Sequence, residues 1–174
     1  METPEPARVV LVGFMAAGKT TVGRTLADLL GWDFVDFDEE IERRTGMTVP
    51  DIFLRLGEPH FRDLEAALTA ELGCREEVVL SPGGGWITQP ELFDSLCPGS
   101  LVVWLRLTPE EAVRRSLEDA VKRPLLAGPD PLARAEFLMA EREPLYRLAD
   151  VAVDVVGKAP DEVAWEIAEM VRGH

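Results

Sequence analysis

Residues 9–21 read VVLVGFMAAGKTT, and this stretch predicts the fold around which the chain is built. An apolar run at 9–12 ends at Gly13, where the pattern G-x-x-x-x-G-K-[ST] begins, and a segment compatible with a helix follows that pattern. The order strand, loop, helix is that of a phosphate-binding P-loop. A glycine-containing turn that binds nothing is the alternative, but such a turn would not need every fixed position of the pattern to be filled.

A P-loop holds the phosphates of a nucleoside triphosphate with many donors at once. Glycine lets backbone N–H groups converge on the phosphates, and the helix N-terminus adds partial positive charge. We predict that Lys19 reaches the terminal phosphates and that Thr20 offers its hydroxyl to Mg²⁺. The predicted nucleotide-binding residues of the loop are Ala16, Ala17, Gly18, Lys19, Thr20 and Thr21.

The composition narrows the classes of function. The 174 residues carry a net charge of −14, which argues against nucleic-acid and anionic-membrane binding because both need a basic surface. No apolar run is long enough to cross a bilayer, and the first residues lack the apolar region of a secretion signal. We expect a single domain over residues 1–174 that is cytoplasmic and monomeric and binds neither nucleic acid nor membrane.

Five apolar segments alternate with helical patterns along the chain. Strands are predicted at 9–12, 34–37, 78–80, 101–107 and 151–156. The segment 101–107, LVVWLRL, is nearly continuously apolar, which is typical of a central parallel strand. The alternation predicts an α/β fold in three layers, with a five-stranded parallel sheet and helices on both of its faces.

The regular pattern is lost between residues 117 and 131. This segment, LEDAVKRPLLAGPDP, contains glycine and proline breaks, Lys122 and Arg123, and little that could pack in a core. A breaker-rich insert in a P-loop protein predicts a lid that closes over ATP. An ordinary surface loop is the alternative.

Two carboxylates follow the second predicted strand. Asp36 and Asp38 are two residues apart, so on a strand both side chains would point to the same side. A P-loop enzyme needs one acid for Mg²⁺ and one for the attacking hydroxyl, and we predict these two roles for the pair. The alternative is a polar turn that leads into the acidic start of a helix.

Two further features, a single arginine and a run of glycines, are candidates for a specific role. Arg62 lies near the start of a predicted helix, where its charge opposes the helix dipole, so it has either a task beyond helix stability or a solubilising role. The third strand runs into Gly83, Gly84 and Gly85, and three consecutive glycines are entropically costly to order. They predict backbone that approaches another group closely or an unusual turn, with a flexible loop as the alternative.

Seven segments of the chain occur in the order found in the shikimate kinase family. They are GFMAAGKTTVG, FVDFDEEIE, RTGMTVPDIF, GEPHFRDLE, SPGGGW, KRPLLAGPD and REPLY. The chain therefore resembles this family over nearly its whole length. The resemblance implies a nucleoside-monophosphate-kinase-like P-loop fold with a lid, and Mg²⁺-dependent transfer of the γ-phosphate of ATP to the 3-hydroxyl of shikimate. The implied products are shikimate 3-phosphate and ADP, in the biosynthesis of chorismate and the aromatic amino acids.

On the nucleotide side, the resemblance implies that Lys19 holds the transferring phosphate and that Thr20 binds Mg²⁺. Asp36 would support the metal through water, and Arg123 of the lid would reach the ATP phosphates. Three positions match adenine-contacting residues more loosely: Arg115, Lys158 and Pro160. The implied catalytic residues are Lys19, Asp38 and Arg123.

On the substrate side, the resemblance implies that Arg62 and Arg142 grip the carboxylate of shikimate, while Asp38 contacts its hydroxyls. Glu65 would steady Arg62, and Gly84 would present its backbone to the substrate. The implied substrate-binding residues are Asp38, Phe53, Phe61, Arg62, Gly83, Gly84, Gly85 and Arg142, with the two phenylalanines as apolar walls.

The sequence departs from the family pattern in two places. Trp86 stands where the family usually has a small residue, and the lid carries one extra residue between Arg115 and Arg123. Two other functions stay open: a kinase for another small polyol acid such as gluconate on the same fold, and a catalytically silent P-loop module that binds nucleotide and offers a partner surface. Shikimate-dependent turnover would distinguish these functions.

Overall fold

The structure, a computed structural model, describes residues 4–118, 126 and 128–173. Most of the predicted lid, including Lys122 and Arg123, lies outside the described residues. Five strands form one sheet in the order β2-β3-β1-β4-β5, and every neighbouring pair is parallel. The strands are β1 Arg8–Gly13, β2 Asp33–Asp36, β3 Val78–Ser81, β4 Ser100–Arg106 and β5 Val151–Asp154. The predicted five-stranded parallel sheet is confirmed.

The described part of the chain contains eight α-helices and the 3-10 turn Trp86–Thr88. Seven of these helices lie between strands, and the eighth follows β5. The helices are α1 Lys19–Leu30, α2 Phe37–Thr45, α3 Val49–Leu56, α4 Glu58–Leu72, α5 Pro90–Leu96, α6 Pro109–Glu118, α7 Pro131–Tyr146 and α8 Pro160–Val171. None of these described helices combines the length and the apolar character that a membrane span requires.

The central strand β1 separates two hydrophobic clusters. Successive side chains of a strand point to opposite faces, so Val9 and Leu11 join one cluster while Val10 and Val12 join the other. Residues of α1 and α8 pack in the first cluster, and residues of α2, α3, α4 and α5 pack in the second. Because β1 is buried on both faces, its continuously apolar sequence places the P-loop at the middle of the sheet's carboxyl edge.

The turn from β2 into α2 differs from the prediction. β2 ends at Asp36, and Phe37 begins α2 with a fully buried side chain. Asp36 is the N-cap of α2, where its Oδ1 accepts a hydrogen bond from the Glu39 N–H at 3.0 Å. The prediction that Asp36 and Asp38 both project from a strand is therefore wrong, because the cap and the acidic first turn of α2 stop the extended backbone at Asp36.

Candidate active site

The P-loop connects β1 to α1 and folds back over its own lysine. The Lys19 ammonium donates to the carbonyl oxygens of Gly13 at 2.8 Å and Phe14 at 3.4 Å. Gly18 is the N-cap of α1 and has φ 88°, a left-handed conformation that glycine adopts without a steric penalty. Ala16 also has a positive φ, 67°. This backbone turns the N–H groups at the start of α1 towards the place where a phosphate would bind.

The oxygens of Thr20 and Asp36 lie together at the end of the P-loop. The Thr20 hydroxyl donates to Asp36 Oδ2 at 2.8 Å, while Oδ1 of the same carboxylate accepts the capping bond from α2. Carboxylate and hydroxyl oxygens are the ligands that Mg²⁺ prefers, and this metal is often held by few protein groups together with substrate phosphates. The pair therefore fits a Mg²⁺ bound beside the nucleotide.

Asp38 lies in the first turn of α2 with part of its carboxyl enclosed. Its Oδ1 is buried and has no hydrogen-bond partner among the described residues. Burial, followed by the neighbouring charges of Asp36 and Glu65, raises the pKa of Asp38 to about 6, and Lys19 opposes this shift. Enclosed carboxylates with raised pKa values are typical of acid–base positions.

The three glycines form a turn, residues 83–85, against which three charged side chains pack. A Cβ at Gly83 would lie 2.8 Å from Oδ1 of Asp38, and a Cβ at Gly85 would overlap the Arg62 guanidinium. A Cβ at Gly84 would lie 3.5 Å from Arg142 Nη1. Close approach of the backbone therefore explains Gly83 and Gly85. The three side chains belong to α2, α4 and α7, so these helices meet at the turn.

Arg62 belongs to a hydrogen-bonded group on α4. Its Nη1 donates to Glu65 Oε1 at 2.5 Å, and the Gln89 amide donates to the same oxygen at 3.0 Å. The Glu65 side chain is completely buried, which raises the pKa of this carboxyl, whereas the bond from Arg62 opposes the shift. No sequence pattern indicates Gln89, because a single neutral amide after a turn has nothing to distinguish it.

The aromatic residues predicted as pocket walls lie beside Arg62. The rings of Phe53 and Phe61 are 4.9 Å apart between centroids, and the Arg62 guanidinium lies 5.6 Å from the Phe61 ring. Phe61 is 4% exposed and Phe53 is 36% exposed.

A cavity of about 240 Å³ joins the P-loop to the two acids and the glycine turn. It is lined by residues 15–21, Asp36, Asp38 and residues 81–84. A larger cavity of about 660 Å³ lies beside α7 and includes Phe14, Trp104 and Tyr146 in its walls. The smaller cavity is the candidate active site, because it contains the phosphate-binding loop and the acids whereas the larger one contains none of the predicted site residues.

Two of the residues predicted near adenine, Arg115 and Lys158, meet at the segment after β5, where both donate to the carbonyl oxygen of Val155. The third, Pro160, is the first residue of α8. Arg115 donates to the carbonyl oxygens of Ala16 at 3.0 Å and Val155 at 3.3 Å, so it joins the P-loop to the segment after β5. The backbone N–H of Lys158 donates to the same Val155 oxygen at 3.2 Å, and its ammonium pairs with Glu166 at 2.7 Å. Arg123 lies outside the described residues.

The fold and site are those of a kinase with the nucleoside-monophosphate-kinase-like P-loop fold. The P-loop follows the central strand, Asp36 ends β2, and the guanidinium groups of Arg62 and Arg142 lie against the glycine turn. Residues 15–172 match the family model described as shikimate kinase. The chain belongs to the shikimate kinase family.

Individual relatives agree with this family. The chain is 47% identical to a shikimate kinase of Halorhodospira halophila over 169 residues, which are 97% of this chain and 95% of that protein. Its fold matches the shikimate kinase from Acinetobacter baumannii in complex with shikimate, with a TM-score of 0.87 and 41% identity over 96% of this chain and 93% of that chain. A gluconokinase from Sinorhizobium meliloti matches with a TM-score of 0.62 at 21% identity, over 98% and 94% of the two chains, and shares the fold alone.

Proposed function

We propose that this protein transfers the γ-phosphate of ATP to the 3-hydroxyl of shikimate and releases shikimate 3-phosphate and ADP. The observation that carries the proposal is the glycine turn, which holds Asp38, Arg62 and Arg142 within contact distance of three consecutive backbone positions beside the P-loop cavity. A small ring acid that bears hydroxyls needs cations at one end and a carboxylate at the other. The arrangement supports a role in which the two arginines bind the carboxylate and Asp38 meets the hydroxyls.

Asp38 is the proposed partner of the attacking hydroxyl. With a pKa of about 6, its carboxyl is mostly ionised at neutral pH and can still accept a proton. Phosphoryl transfer through a dissociative transition state needs little deprotonation in advance, so the carboxylate first orients the hydroxyl and then takes its proton as the new bond forms.

The proposed nucleotide site uses the P-loop and its neighbours. Lys19 would bind the transferring phosphate, Thr20 and Asp36 would hold Mg²⁺, and the backbone N–H groups of residues 16–21 would bind the phosphates. When bound there, Mg²⁺ would neutralise negative charge on the phosphates. Arg115, by its bond to the P-loop, and Lys158 are the proposed residues on the adenine side, and Arg123 is the proposed lid cation.

A coupled assay of ADP release, with and without shikimate, tests this function. We expect Mg²⁺-dependent turnover that requires shikimate, and gluconate should not replace it. Lys19→Met, which removes the ammonium beside the phosphates, is the control against a contaminating kinase and should lose turnover. Nucleotide binding without any acceptor-dependent turnover would contradict the proposal and favour a silent nucleotide-binding module.

The proposal also covers the oligomeric state and the cellular compartment. We propose that the protein acts as a monomer in the cytoplasm, the compartment in which its co-substrate ATP is available. Light scattering at assay concentrations should give a mass near 19 kDa.

A further inference from the structure

Trp86 connects the glycine turn to the helix that carries Arg62, although the proposed chemistry does not use its side chain. Trp86 is 1% exposed, and its indole N–H donates to Thr69 Oγ1 on α4 at 3.0 Å. The Thr69 hydroxyl in turn donates to the carbonyl oxygen of Glu65 at 2.7 Å. The indole is therefore bonded to the turn of α4 whose Glu65 side chain holds Arg62.

Trp86 also contacts the glycine turn and the residue that precedes Asp38. Its backbone N–H donates to the Gly83 carbonyl at 3.0 Å and so closes the glycine turn. Its ring meets the edge of Phe37, the residue before Asp38, at 6.4 Å between centroids. A buried aromatic side chain with one satisfied N–H is a rigid body, because it has few torsions and a fixed bond direction. One residue therefore joins the turn, through its backbone, to α2 and α4, through its ring.

The guanidinium of Arg62 has little room to adjust on its own. It packs so closely on the backbone of Gly85 that a Cβ there would overlap it, and its Nη1 is held by a buried carboxylate. The distance of the glycine turn from α4 therefore determines where the guanidinium lies relative to Gly84. Misplacement of a binding group by fractions of an ångström weakens bidentate recognition of a carboxylate.

We propose that Trp86 is a positioning residue for acceptor binding: its indole fixes the glycine turn against α4 and thereby sets the affinity for the carboxylate of the acceptor, with little influence on the nucleotide. The inference rests on the proposed function. It gives Trp86, which stands where the family usually has a small residue, a role in the affinity of this protein for its substrate.

The test is steady-state kinetics of Trp86→Phe and Thr69→Val, which remove the two ends of the same hydrogen bond and keep most of the buried volume. In each variant the KM for shikimate should rise about three- to tenfold, the effect expected for one net hydrogen bond, and the KM for ATP should stay within about twofold. The double variant should be no worse than the more affected single variant, because both substitutions remove one interaction.

Two controls separate positioning from loss of stability. Leu96→Val, which shortens a buried side chain of the same core cluster on α5, should lower the Tm and leave the KM for shikimate unchanged. Trp165→Phe, on the exposed face of α8, should change neither. An unchanged KM for shikimate in folded Trp86→Phe, or equal increases in both KM values, would overturn the inference while the proposed function stands. Absence of shikimate-dependent turnover in the unaltered protein would overturn both.

Discussion

The buried carboxyl of Asp38 lowers the stability of the folded protein when it is ionised. Its pKa of about 6 lies above the ordinary value of 3.8, chiefly because the carboxyl is buried. The folded state therefore binds more protons than the unfolded state between about pH 4 and pH 6, and the free energy of unfolding falls as pH rises through that window. Above about pH 6 the ionised carboxylate lowers stability by up to about 3 kcal/mol.

We predict that Asp38→Asn separates the two properties. The free energy of unfolding should rise by up to about 3 kcal/mol at pH 7.5 and hardly change at pH 4, because only the ionised form is disfavoured by burial. The kcat should fall by about 100-fold with the loss of the proton acceptor. Urea unfolding at both pH values and the ADP-release assay measure these effects.

The control for this prediction is Asp63→Asn, which replaces an exposed carboxylate on α4 and should alter neither property. In the unaltered protein, kcat/KM should decline as pH falls below about 6, where the free enzyme takes up this proton. Full turnover by Asp38→Asn would show that the carboxylate has no part in the reaction.

Asp36 links three elements: it ends β2, caps α2 and bonds to Thr20 in the first turn after the P-loop. One oxygen caps α2 and the other accepts the Thr20 hydroxyl. Asn caps a helix about as well as Asp, so Asp36→Asn should keep the Tm and raise the Mg²⁺ concentration for half-maximal turnover about tenfold. Asp36→Ala should show the same Mg²⁺ effect and lose about 1 kcal/mol of stability in addition. Thermal melts and Mg²⁺ titrations of both variants measure this, and equal stability of the two would argue against the cap.

The glycine turn allows a graded test of close approach. Gly85→Ala puts a methyl group into the Arg62 guanidinium, whereas at Gly84 the nearest atom, on Arg142, lies at an ordinary contact distance of 3.5 Å. We expect Gly85→Ala to raise the KM for shikimate about tenfold or more, and Gly84→Ala to have the smaller effect, because the loss grows with the displacement of the guanidinium. Parallel kinetics of the two variants decide the order, and the reverse order would mean that the turn does not position Arg62.

Local patterns predicted some of these elements and not others. The run at 9–12 and the glycines after it predict strand, P-loop and helix, because residues that are adjacent in the sequence determine each of these conformations. The prediction that a strand continues past Asp36 is wrong because the same residues fit both a strand end and a helix cap. The burial of Phe37 in the first turn of α2 decides between the two. Gln89 could not be found, since its importance arises only from the distant Glu65.

At the scale of the whole molecule, the candidate site depends on residues far apart in the chain. Arg62 on α4 and Arg142 on α7 pack on adjacent glycines of one turn. Periodicity predicted the sheet and its helices, because each strand has its own apolar run. It could not predict which helices meet at the turn, and only the resemblance to the family paired the two arginines before the structure placed them together.

The paired arginines lead to a prediction about the stability of the whole protein. Shikimate at about 100 times its Kd should raise the free energy of unfolding by about 2.7 kcal/mol, because it binds only the folded state. For a chain of this size the Tm should rise by about 5–10 °C. Arg62→Ala should abolish this rise and keep the rise produced by Mg²⁺ and ADP, since the P-loop is unchanged.

The measurement is a thermal melt of each variant with each ligand. Arg43→Ala, which removes an exposed arginine from α2, is the matched control and should keep both ligand effects. Arg62→Ala leaves the buried Glu65 carboxylate without its cation and lowers the starting Tm, so Arg62→Ala/Glu65→Gln, which also removes the buried charge, provides a second background. A normal shikimate effect in either background would show that Arg62 does not bind the substrate. Loss of both ligand effects would instead indicate a general disruption of the fold.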